Sequence, residues 1–104
     1  MDTIEHPITG EKIRIAKADF PDPLDWDQAN AACNALGSGW RLPTKEELNE
    51  MYKNKDAIGG FNRSTYWSSS EYNDNRAWGE CFGDGYQTNL SKDYTTYVRA
   101  VRAF

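Results

Sequence analysis

The nine residues Trp40-Arg41-Leu42-Pro43-Thr44-Lys45-Glu46-Glu47-Leu48 constrain this chain more than any other stretch. Pro43 biases Leu42 towards an extended backbone. Thr44, followed three residues later by Glu47, has the pattern of a capping box, in which each side chain binds the other's backbone N–H. A strand-like entry, a reversal and a helix start are thus specified within one short segment, and Trp40 and Leu42 are expected to be buried. Nothing in the segment suggests chemistry, so its role is structural.

A second capping box, Asp25 with Gln28, opens an alanine-rich run to Leu36. Trp26, Ala29, Ala32, Cys33 and Leu36 recur at helical spacing and predict one apolar stripe, with Gly37 as a left-handed exit. The second helix is predicted from about residue 45 to 53, with Leu48, Met51 and Tyr52 inward. Residues 54–63 carry Gly59-Gly60 and no clean period, which predicts a loop tucked down by Ile58 and Phe61.

Before these helices, residues 1–11 read as an irregular lead-in with turn chemistry at His6-Pro7 and Thr9-Gly10, and residues 12–18 alternate charged with apolar side chains as a half-buried strand. From Ser64 the texture becomes β, with strands expected at about 65–69, 76–82, 86–90 and 97–103. Gly83-Asp84-Gly85 joins two of them as a hairpin. Trp78, Glu80 and Phe82 share one face, expected to be the core side, and Val98 and Val101 point to opposite faces, as in a strand buried on both sides or one carrying a bulge. The fold class is therefore α+β within a single domain over 1–104, two helices packed on a small, mainly antiparallel twisted sheet.

Composition narrows the function. Sixteen acids against twelve bases give a net charge of -4, which argues against a nucleic-acid partner, and no apolar run is long enough for a membrane span. The amino terminus lacks the basic start and apolar run of a secretory signal, so residence in the cytoplasm or in a phage particle is expected. Two cysteines, Cys33 and Cys81, are too few for a disulfide framework and read as free, partly buried thiols. The single histidine, His6, lies in a proline turn with no nucleophile at hand, and Glu71, Asn73, Asp74 and Asn75 form no EF-hand pattern. No catalytic residue, metal or cofactor is expected.

The order of motifs resembles one bacterial and phage family. Trp26-Asp27-Gln28-Ala29, Gly39 through Leu48, Tyr66-Trp67-Ser68-Ser69-Ser70-Glu71-Tyr72, Ala77-Trp78 with Phe82 and Gly85, and Tyr97 through Arg102 look like the domain at the carboxyl terminus of collagen-like bacterial adhesins. That family is a branch of the C-type lectin-like fold, and the resemblance spans about residue 12 to the end. It is related to the variable receptor-binding proteins of diversity-generating retroelements, whose ligand-facing residues are interspersed among Trp, Gly and Arg anchors in the final third. The formylglycine-generating enzymes share the broad fold, but this chain is too short and lacks their paired-cysteine site. The calcium motifs of sugar-binding C-type lectins, Glu-Pro-Asn or Gln-Pro-Asp with Trp-Asn-Asp, are absent too.

The resemblance implies a non-catalytic recognition domain of adhesin or phage receptor-binding type, with a protein or surface glycan as ligand. Tyrosine beside Asn, Ser and Gly is the composition of binding loops, and Tyr66, Tyr72, Tyr86 and Tyr94 are the tyrosines expected at the surface. The expected ligand-binding residues are Ser68, Ser70, Glu71, Tyr72, Asn73, Asp74, Asn75, Arg76, Asp84, Tyr86, Gln87 and Asn89. The alternative is a small acidic intracellular inhibitor or adaptor that occupies a basic surface on a host protein.

Overall fold

A computed structural model describes residues 2–104. The chain order is β1 (Thr3–Glu5), β2 (Lys12–Ile15), α1 (Trp26–Ala35), α2 (Lys45–Lys53), α3 (Lys55–Ile58), β3 (Thr65–Glu71), β4 (Arg76–Cys81), β5 (Gln87–Ser91) and β6 (Val101–Ala103). Both capping boxes form. Asp25 accepts from the Gln28 N–H while Gln28 accepts from Asp25, and Thr44 and Glu47 do the same. Glu47 is buried, and its carboxylate also takes two bonds from Arg41, at 2.7 and 3.0 Å. Burial opposes its ionisation, but the Arg41 and Thr44 hydrogen bonds and the Arg41 charge hold its carboxyl below the usual range.

Instead of one sheet there are two three-stranded antiparallel sheets, ordered β1-β2-β6 and β3-β4-β5. Thr3–Glu5, expected in an irregular lead-in, pairs antiparallel with β2, because Ile4 lies opposite Ile13 and both are buried. The last strand is shorter than expected. Tyr97 makes a parallel bridge to Tyr66, the Val98 and Ala100 carbonyls accept from the Phe20 and Ala16 N–H groups, and the ladder begins at Val101. Part of the expected loop at 54–63 winds into α3, while Ile58 and Phe61 pack on the core as anticipated.

Two apolar clusters result. Ile4, Ile13, Ile15, Leu48, Met51, Tyr66, Phe82 and Val101 form one, and Ala29, Cys33, Leu42, Trp67, Ala77, Val98 and Ala100 form the other. Val98 and Val101 thus face different clusters, which is why that segment does not alternate. Each fully buried aliphatic side chain contributes roughly 1.5–3 kcal/mol. Tyr66, expected at the surface, is buried, and Trp40 and Leu36 are only partly covered or exposed. Gly85, at a φ of 80°, lies so close to Tyr52 that a Cβ would sit 2.6 Å from its ring, so glycine is needed there on two counts. Among the described residues, no helix is long and apolar enough to cross a membrane.

Candidate functional site

Pleat alternation along β4 puts Arg76, Trp78 and Glu80 on one face and Ala77, Gly79 and Cys81 on the other. Register with β5 sets Ser91 opposite Arg76, Asn89 opposite Trp78 and Gln87 opposite Glu80. The start of α2 leans over this face. The Lys45 ammonium sits 3.6 Å from the Trp78 ring centroid, the Lys45 N–H donates to Ser70 Oγ at 2.9 Å, and Gln87 Nε2 donates to the Lys45 carbonyl at 3.1 Å. Tyr72, 54% exposed, meets the Trp78 ring edge-on at 5.6 Å and 81°. Arg76 is held by Asn89, with Nε donating to Oδ1 at 2.5 Å and Nη2 to the carbonyl at 2.9 Å.

The expected ligand-binding residues divide among several places. Tyr72, Arg76, Gln87 and Asn89 gather around Trp78. Glu71 is paired with Lys92 at 2.7 Å, and Lys92 also donates to the Asp74 carbonyl and lies 4.3 Å from the Trp26 ring centroid. Asn73 caps the turn by accepting the Asn75 N–H at 2.9 Å, and Asn73, Asp74 and Asn75 form an exposed tip. Asp84 accepts the Tyr86 N–H at the hairpin, and alternation turns the exposed Tyr86 away from Gln87. Ser68 is fully buried and bonded to the Trp78 carbonyl at 2.6 Å, so it supports the face from beneath. Ser70 is half-buried and engaged as the acceptor for Lys45.

Three residues of the face were not among those expected. Alternation puts Trp78 on the expected core side, yet it is only partly covered. The period-two alternation with Arg76 was the available signal, but it does not say which face is shielded. Lys45 belongs to a structural motif in sequence and joins the face only through the packing of α2. Glu80 is fully buried beneath the face, its Oε1 accepting from Gln87 Nε2 at 3.1 Å and its Oε2 without a hydrogen-bond partner among the described residues. Burial pushes its carboxyl up to about 7, against the smaller opposing pull of the Gln87 bond and the Lys53 charge.

The arrangement suits contact better than bond-making. Its polar groups mostly position one another, while an aromatic pair and a cation stay at the surface. His6 Nδ1 is occupied as acceptor for the Ile8 and Thr9 N–H groups of its turn. Cys33 and Cys81 are free, and burial pushes the Cys33 thiol up to about 12, which leaves it unreactive. Among the described residues, no group of three or more His, Cys, Asp or Glu is placed to hold a metal ion.

The model of the Lcl C-terminal domain family matches residues 9–102. A chain from the solved complex of a mutant von Willebrand factor A1 domain with botrocetin superposes with a TM-score of 0.59 at 13% identity, covering 99% of this chain and 97% of that one. Botrocetin solved alone gives 0.55 at 15% identity, covering 99% and 95%. No curated protein sequence matches significantly. At such identities the likeness is one of fold, and the fold is C-type lectin-like, α+β.

Proposed function

The chain belongs to the Lcl C-terminal domain family, and on that premise we propose that it is a non-catalytic recognition domain of adhesin or phage receptor-binding type. Its ligand, a protein or a surface glycan, is held on the Trp78 face. The observation that carries this reading is the Trp78 ring itself, with Lys45 at 3.6 Å over it and Tyr72 against its edge. Aromatic side chains offer large contact area at low entropic cost, and a face pre-organised by packing loses little freedom on binding. Arg76, Gln87 and Asn89 supply directional polar groups around it, and the turn tip at Asn73, Asp74 and Asn75 extends the contact surface. A protein of the same fold, botrocetin, is known in complex with the von Willebrand factor A1 domain, which supports a protein ligand here.

The inhibitor alternative, in which an acidic surface meets a basic host protein, has less support at this face, whose central charges are Lys45 and Arg76. The test is binding to glycan and surface-protein arrays by the wild type and by Trp78→Ala, Tyr72→Ala and Tyr86→Ala. Ligands captured by the wild type should bind Trp78→Ala at least about tenfold more weakly, as expected for a hot spot. Tyr86→Ala should bind nearly as well as wild type. Undiminished binding by a folded Trp78→Ala would reject the assignment, and turnover on glycan or peptide panels would reject the non-catalytic reading.

A further inference from the structure

The β1-β2-β6 sheet carries a second candidate surface that shares no residue with the Trp78 face. Along β2, Ile13 and Ile15 are buried while Lys12 and Arg14 point to solvent. Arg14 lies directly opposite Arg102 of β6, and like charges placed opposite in a sheet are destabilising. Neither guanidinium has a carboxylate partner among the described residues. Each sits over an aromatic ring instead, Arg14 at 4.6 Å from the Phe104 centroid and Arg102 at 5.8 Å from that of Trp40. A cleft of about 670 Å³ opens beside Arg14, its lining including Lys17, Leu36, Trp40 and Phe104, with Asp2 the one acidic side chain on it among the described residues; Arg102 is not on the lining but lies against Trp40, which is. Leu36 and Phe104 are 49% and 65% exposed. Arg14 and Lys17, neither with a carboxylate partner among the described residues, thus share one cleft with exposed apolar side chains, on a chain whose net charge is -4.

We propose that this cleft docks an acidic peptide segment of a partner protein. A large apolar side chain of the peptide enters between Leu36, Trp40 and Phe104, and its carboxylates pair with Lys17 and Arg14 on the lining, the one at Arg14 shared with Arg102 across the strand pair. The planar guanidinium fork matches a carboxylate bidentately, and an anion between the two arginines relieves the repulsion that the free sheet carries. Charge complementarity selects the peptide's acids and the apolar walls select its anchor.

Fluorescence anisotropy with a labelled peptide of alternating glutamates around a central Phe-Leu pair tests this. Wild type should bind it, more weakly as salt rises, and Trp78→Ala should bind it equally well, which separates this site from the Trp78 face. Arg14→Glu puts opposite charges across the strand pair, so its Tm should hold or rise while Kd increases more than tenfold. Trp40→Ala, checked for folding by circular dichroism, should also weaken binding. The proposal is overturned by unchanged affinity in Arg14→Glu, by equal binding of a peptide with lysines in place of the glutamates, by no binding at peptide concentrations of about 1 mM, or by preference for anionic phospholipid vesicles.

Discussion

Arg99 and Trp78 are the centres of two regions built from one motif, a cation over an aromatic ring, and put to opposite uses. Arg99 is 1% exposed and lies 4.0 Å from the Phe61 ring centroid. Its Nε donates to Asp19 at 2.7 Å, and its two terminal nitrogens donate to the Gly59 and Gly60 carbonyls at 2.8 and 2.9 Å. Asp19 in turn accepts from the Tyr66 hydroxyl, and burial followed by that bond raises the Tyr66 pKa. Every guanidinium nitrogen is used, and the loop at 59–62 is pinned to the last segment of the chain. Around Trp78 the same pairing stays at the surface, and the carboxyl of Glu80 beneath it has an oxygen with no partner among the described residues. The difference teaches that cation–ring contact fixes structure when closed by hydrogen bonds in the interior and offers a surface when it is not.

The contrast is easiest to break at Arg99. Arg99→Ala strands Asp19 and two carbonyls, and chemical denaturation should show a loss of about 3–5 kcal/mol, as for other broken buried pairs. Arg99→Lys should recover little, because an ammonium cannot span the three acceptors. A loss under about 1 kcal/mol would mean that the loop is held by Phe61 and Ile58 alone.

Glu80 gives the next largest effect. Its folded pKa is raised from 4.5 to about 7, so folding favours the protonated form. Stability from this group is full below about pH 4.5 and falls as pH rises through about 7, by about 3 kcal/mol in all. Glu80→Gln keeps the shape without the charge. Its unfolding free energy should lack this fall and exceed that of wild type above pH 7, and parallel pH profiles for the two proteins would refute the assignment.

Substitutions on the exposed ring itself sharpen the comparison. Trp78→Ala should cost only about 1–2 kcal/mol of stability, because the ring is half-covered, against about 3–5 for the fully buried Trp67; thermal unfolding of the two variants reads the gap. Lys45→Ala should be smallest, about 0.5–1 kcal/mol, the usual range for a surface cation–ring contact.

Much of the fold was legible in the residues. Both helices start where Asp25 and Thr44 place them, since a capping box is a contact between residues three apart and needs no tertiary information. The burial of Leu42, the strands near 65, 76 and 87, and the two-sided burial of Val98 and Val101 follow from equally local patterns. The site was less legible. Tyr72, Arg76, Gln87 and Asn89 were identifiable as loop and strand-edge residues, but Ser68 is buried and Asp84 serves its hairpin. Trp78 reads as inward-facing in sequence, because a small domain needs the area of its large aromatics.

By itself, then, the sequence determines α1 and α2, their capping and the alternation of the strands near 65, 76 and 87, while α3 and β1 escape it. Tertiary structure alone decides that the strands divide into two sheets, that Arg99 finds Asp19 eighty positions away, and that Trp67 is enclosed while Trp78 is left at the surface. The physical reason is that alternation assigns residues to one face or the other, whereas the choice of which face is shielded belongs to whatever packs against it. Over β4 that is α2, which packs against this strand and leaves the Trp78 ring only partly covered under Lys45.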